Sequence, residues 1–132
     1  MRRGWGFYYR DTLHTNLFTN ENPWLDEAAR LDPYSYTIAI NTATGDRKGL
    51  RDGQAVWLES PHGRRVRGRL RLTETVHPEG VGIGGCAGHR AKTLPIAAGK
   101  GVMFNDVLEV DWQHGNPVNL NLDTCVKIRI VP

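Results

Sequence analysis

Apolar and polar residues alternate with a period of two over several short stretches of this chain, and the helical period appears only briefly. "WGFYYR" (5–10) is an aromatic stretch fit for a first strand. "SYTIAIN" (35–41) is β-branched and apolar enough for a buried one. "QAVWLES" (54–60) and "RRVRGRLRLTE" (64–74) are strands on either side of the tight turn "PHG". "HPEGVGIGG" (77–85) turns into a glycine-rich strand, and the valines and isoleucines of "TCVKIRIVP" (124–132) mark a last one. Asn22 before Pro23 reads as an N-cap followed by the first helical position, and "WLDEAARL" supplies about two turns before Asp32-Pro33 ends them. "TATGDRKGL" (42–50) predicts a helical turn closed at Gly49, and Asp52-Gly53 a turn. From Cys86 to Gly115 the pattern loosens into loop with a helical turn.

Some six short strands, little helix and long polar loops predict a mainly β fold, a small closed barrel. Closure removes exposed strand edges, and loops gathered at one end can hold a ligand. With 132 residues the chain is read as one domain. Residues 1–35 hold the first strand, a polar loop and a short helix, and 36–132 form the barrel core. A content of 39% hydrophobic residues, with 15 glycines and 7 prolines, suits a turn-rich fold better than a helical bundle. No apolar run approaches the roughly 18 residues of a membrane span. The N-terminus "MRRGWGFYYR" lacks the apolar core of a signal peptide. The expectation is a protein of the cytoplasm, or of the periplasm if an exported partner carries it.

The net charge of +3 comes largely from Arg64 to Arg71. That run reads either as a solvated strand face that discourages edge pairing or as a surface for an anionic partner. Cys86 and Cys125 form no CxxC pair, and the histidines at 14, 62, 77, 89 and 114 show no i,i+4 spacing, so no metal site is expected; both thiols are expected buried and unpaired. No GxxxxGK[ST] string is present, and Ser35 and Ser60 follow Tyr34 and Glu59, not the glycine that pyruvoyl self-processing needs.

Ile40-Asn41, then "KGLRDGQAVWLESPHGRRVRGRLRLTETVHPEGV", "GCAGHR" and "FNDVL" follow in order from residue 40 to residue 108. This order resembles the C-terminal, molybdopterin-dinucleotide-binding domain of the dimethyl-sulfoxide-reductase superfamily of molybdenum and tungsten oxidoreductases. The sequence departs from the family pattern at Gly53-Gln54, where Gly-Asp is common, at Gly45, near which alanine is preferred, and at Pro78-Glu79-Gly80 in place of Pro-Gly. Family enzymes are long chains with this domain last. The resemblance implies a six-stranded double-psi β-barrel with short helices and long polar loops. It implies a cofactor, bis-molybdopterin guanine dinucleotide carrying Mo or W, with the metal ligated elsewhere. It also implies a partner: a large iron–sulfur/molybdopterin catalytic subunit, or N-terminal domains of the same enzyme.

On this reading the loop "HTNLFTNENPWL" (14–25) grips the dinucleotide through His14, Thr15, Asn16, Thr19 and Asn20. Asn and Thr offer donor and acceptor together, so they match ribose hydroxyls and heterocycle edges without burying unpaired charge. The same groups also cap helices and brace turns, as Asn22 is expected to do. In "GGCAGHR" (84–90) the glycines allow close backbone approach, and His89 is either a cofactor contact or an exposed loop histidine. Asn105 in "FNDVL" would bond a pterin or else open an Asx-turn. Asn119 and Asn121, on one face of "VNLNL", are further cofactor contacts, and Lys100 either meets a phosphate or stays solvated.

The competing reading is a stand-alone barrel that binds nucleic acid or a protein through Arg64–Arg71. No aromatics interleave there for base stacking, and the 14–25 loop goes unexplained. A salt titration against duplex DNA separates the two. Nothing in the chain is placed as a catalytic acid, base or nucleophile. The purified 132-residue chain is therefore expected to show no turnover with dye electron acceptors.

Overall fold

The computed structural model describes residues 4–9, 13, 16, 18–85, 87–108, 113, 118 and 125–132. Six strands, β1 (Gly4–Tyr9), β2 (Thr37–Asn41), β3 (Ala55–Glu59), β4 (Arg65–Thr73), β5 (Gly80–Gly84) and β6 (Cys125–Val131), close into a barrel in the order β1-β5-β2-β4-β3-β6. β1 with β5 and β2 with β4 run parallel, and the other four pairs are antiparallel. The sheet is mixed, mainly β and six-stranded, as the alternating pattern and the resemblance implied.

Inward residues fill the barrel. Ile38, Ile40, Leu58, Ile83 and Ile128 are fully buried, with Val56, Leu70 and Ile130 close behind. β4 turns Val66 and Leu70 in and Arg65, Arg67 and Arg69 out. Both its edges are occupied, by β2 and β3, so its arginines protect no free edge and that part of the expectation falls. β6 alternates likewise, Ile128 and Ile130 in, Lys127 and Arg129 out. Cys125 is in phase with the outward set and is exposed, contrary to expectation, because the period-2 rule governs a thiol like any other side chain. Cys86 lies outside the described residues.

β5 is buried along its whole length. Val81 and Ile83 point in, while Phe7 and Tyr9 of the neighbouring strand lie over its outward glycines. A Cβ on Gly80 would sit 3.0 Å from the Phe7 ring and one on Gly82 3.2 Å from Tyr9. The glycine-rich run is thus a slot for two aromatic rings.

Two helices join the strands. In α1 (Pro23–Leu31) the Asn22 side chain accepts the N–H groups of Trp24 and Leu25 at 3.0 and 3.3 Å, a cap that stabilises a helix by about 1 kcal/mol. In α2 (Thr42–Lys48) Asn41 accepts the Ala43 N–H at 3.0 Å and donates to the Val76 carbonyl at 2.8 Å, tying the helix to the β4–β5 connection. Gly49 ends α2 at φ 66°, a left-handed conformation that costs other residues.

Gly68 points inward from the middle of β4, where a Cβ would lie 2.5 Å from both Ile38 Cδ1 and Val102 Cγ2. Gly68→Ala is expected to destabilise the chain by about 1–3 kcal/mol in thermal or urea unfolding. Gly84→Ala, whose Cβ meets nothing closer than 3.8 Å, should be near neutral.

Candidate functional site

β1 and β5 finish at one end of the barrel, where β2 and β6 begin. The two long connections, 10–36 and 85–124, therefore both arise there. The second is a packed lid: Val102, Phe104, Val107 and Leu108 join the barrel core, and the Phe104 ring lies 5.7 Å from that of Tyr8. Its arms are clipped together by Gly88 N–H to Lys100 C=O at 2.6 Å and Gly99 N–H to His89 C=O at 2.9 Å. Gly88 has φ 75°, and a Cβ there would lie 2.2 Å from the Met103 nitrogen, so only glycine fits this crossing.

Two carboxylates of the first connection hold the lid. Glu21 accepts the N–H groups of Ile96 and Ala97, both at 3.0 Å, and lies 3.5 Å from His89 Nε2. Asp26, on the buried side of α1, takes Lys100 Nζ on both oxygens at 2.6 Å, with Tyr36 Oη at 3.2 Å and an Arg30 guanidinium nitrogen at 3.3 Å. Burial alone would raise the Asp26 carboxyl, but Lys100, Tyr36 and Arg30 outweigh it and hold it below its ordinary value. Glu21 is held low in the same way: burial works against ionisation, and the Ala97 and Ile96 N–H groups together with His89 prevail. Tyr36, at the entrance to β2, has φ 61° and is the one non-glycine with positive φ among the described residues.

The polar residues singled out in the sequence divide by depth. Asn105 is exposed, because Phe104 and Val107 on either side turn into the core. No described residue engages its amide. Asn16 is exposed too. Its Oδ1 accepts the N–H groups of Phe18 and Thr19 at 2.9 and 3.1 Å, and Thr19 Oγ1 donates to the Asn16 carbonyl at 2.7 Å. The pair braces its own turn, and no described residue engages the Asn16 NH2. Asn20 and His89 are buried. His89 Nδ1 accepts the Ala91 N–H at 3.3 Å, so its ring proton sits on Nε2, which makes no hydrogen bond and only approaches Glu21. His14, Thr15, Asn119 and Asn121 lie outside the described residues.

The contacts join three of the segments. Glu21, next to Asn20, faces His89; Arg90, next to His89, pairs with Asp106; and Asp106 is the neighbour of Asn105. Lys100, half-buried, pairs with Asp26. Sequence reasoning missed Glu21 and Asp26, whose only local signal was two acidic residues flanking a helix start. Beside this anchor a groove of about 450 Å³ opens between Tyr36, Gly99–Gly101 and the outward arginines Arg67 and Arg69. A larger cleft of about 530 Å³ lies at the opposite end, against Thr44, Arg47 and His77, and none of Asn16, Thr19, Asn20, His89 and Asn105 lines it.

The mouth of a β-barrel is a common place for a small-molecule site. The family is shown by comparison: the family described as "Molydopterin dinucleotide binding domain" matches residues 8–120, and the chain belongs to it. A sulfite dehydrogenase subunit from Allochromatium vinosum is 32% identical over 94 residues, 67% of this chain and 9% of the relative. The fold is also that of part of acetylene hydratase from Pelobacter acetylenicus, with a TM-score of 0.72 at 15% identity, over 96% of this chain and 18% of the other. The chain thus spans a small part of the length of these proteins.

The residues present fit a molybdopterin cofactor. The Asn105 amide is exposed, and among the described residues nothing engages it or the Asn16 NH2. Because Asp26 and Glu21 are held low, their stabilising effect is complete above the free values of 3.8 and 4.5 and drains as pH falls through the lower folded values. Lys100→Met is expected to destabilise the chain by roughly 2 kcal/mol at pH 7, less than for full burial because Arg30 and Tyr36 still reach Asp26. In thermal melts the gap to wild type should narrow toward pH 3. A gap independent of pH would show that the pair contributes no charge interaction.

Proposed function

We propose that the lidded end of this barrel holds molybdopterin guanine dinucleotide, one of a pair that carry molybdenum or tungsten in a larger oxidoreductase. The observation that carries the proposal is the fixing of the lid to the first connection by Glu21 and Asp26, which brings Asn16, His89 and Asn105 to one end. When bound, the cofactor supplies the metal and its redox chemistry, and this chain binds, orients and excludes water.

Asn105 and Asn16 present neutral amides where a pterin or guanine edge can exchange donors and acceptors with them. His89 lies beneath the surface, its Nε2 3.5 Å from the Glu21 carboxylate that holds the Ile96 and Ala97 N–H groups. His14, Thr15, Thr19, Asn20, Asn119 and Asn121 complete the proposed contact set. The rest of the enzyme, a large iron–sulfur/molybdopterin subunit or further domains of the same chain, would close the other side of the cofactor.

The test uses the assembled oxidoreductase. Acid oxidation should release a fluorescent pterin, hydrolysis should release GMP in equal amount, and elemental analysis should find Mo or W. Asn105→Ala should weaken pterin retention about tenfold, the size of one lost hydrogen bond to a charged or strongly polar group. An assembly free of pterin, or one whose pterin content ignores Asn105→Ala, overturns the proposal.

A further inference from the structure

α1 turns its apolar face outward. Trp24, Ala28 and Leu31 fall at i, i+4 and i+7, on one side of the helix, and all three are exposed, Trp24 at 83% and Leu31 at 87%. The opposite side carries Asp26 and Ala29, both buried. Rotating the helix to hide Trp24 and Leu31 would pull Asp26 away from Lys100, so the barrel that buries Asp26 cannot bury this stripe as well. Phe18, just before the adjoining 3-10 turn Thr19–Glu21, is also 77% exposed. Large apolar side chains left open together on one short segment mark a surface that something else covers.

The surroundings indicate the occupant. The stripe is edged by the ion pair Arg30–Glu27 at 3.3 Å, a polar rim beside an apolar centre. It lies on the helix whose other side anchors the lid, so it adjoins the end proposed for the cofactor. The chain also spans only 9% and 18% of the two relatives described above. We infer that the outward face of α1, centred on Trp24 and Leu31, is the surface by which this domain docks onto the remainder of a molybdenum or tungsten oxidoreductase beside the cofactor. The inference rests on the function proposed above for the occupant and on the helix geometry for the place. Tryptophan at its centre suits it, since buried aromatics dominate interface energetics.

Leu31→Cys and, as a control on the β3–β4 turn, Arg64→Cys are labelled with a maleimide and read by peptide mass spectrometry. The measurement is made on the 132-residue chain alone and on the assembled oxidoreductase. Position 31 should label freely in the chain alone and lose its labelling in the assembly, while position 64 labels in both. In addition, the double variant Trp24→Glu/Leu31→Glu should melt like wild type as a single chain yet fail to assemble. Equal labelling of position 31 in both states overturns the docking face, as does protection in the chain alone that grows with its concentration, which would make the occupant a second copy. Pterin is measured on the same assembly. Pterin present with position 31 open removes the docking face and leaves the proposed function standing. Position 31 protected without pterin supports the face and removes that function.

Discussion

Asp26 faces inward from a short helix and is almost wholly buried, and Lys100 reaches it from a segment 74 residues further along, with Nζ 2.6 Å from each carboxylate oxygen. The backbone of the same lysine accepts the Gly88 N–H, so one residue holds both the helix and the opposite arm of the lid. Removing two charges from water is unfavourable, and the attraction between them compensates only when the geometry is good and the remaining valences are filled. Tyr36 and Arg30 fill them here. Glu21 repeats the device with a different partner, two backbone N–H groups that would otherwise be left open in a packed loop. These two carboxylates tie the described parts of the two long connections together at one end of the barrel.

A lid fixed in this way changes what the site can do. A flexible pair of loops would have to be ordered when the ligand arrives, and that ordering would be subtracted from affinity. Here the chain's own residues hold the lid, by apolar contacts from Val102, Phe104, Val107 and Leu108 below and by charge from the side. What remains outward is a set of short neutral groups with unused hydrogen-bonding capacity. The arrangement has a second effect, on α1. A helix whose inner face is committed to an ion pair cannot also turn its aromatic face onto the barrel. The demand that fixes the lid therefore leaves Trp24 and Leu31 open.

Most of the fold could be read along the chain because its signals are local. Alternation in 54–74 and 124–132 gave β3, β4 and β6, Asn22-Pro23 gave the start of α1, and Gly49 the end of α2. The lid anchors could not be read that way. Glu21 and Asp26 look like ordinary acidic residues around a helix N-terminus, where the dipole alone would account for them. Their partners lie far along the chain and arrive only through the strand order β1-β5-β2, which brings the ends of β1 and β5 side by side. Neutral groups alone do not make the polar loop: Glu21 lies in it and Asp26 beside it, and both carboxylates are paired, so no lone charge is left to be desolvated there. Cys125 was legible and misjudged: its place in the alternation of β6 outweighs the general tendency of thiols to be buried.

The basic strand shows how closure changes the meaning of a pattern. In an open sheet, a row of arginines on a strand could be explained as protection against edge-to-edge pairing. β4 has no edge to protect, since β2 lies on one side and β3 on the other. Two of its arginines are matched to nearby carboxylates, Arg65 to Glu59 at 3.0 Å and Arg71 to Asp52 at 2.9 Å. Arg67 and Arg69 have no such match among the described residues and form one wall of the groove beside Tyr36 and Lys100. Exposed pairs of this kind add little stability, so the strand owes its place to Val66, Leu70 and the close fit at Gly68. Its outer charge is left to shape the field around the lidded end, where an anionic ligand would feel it on approach.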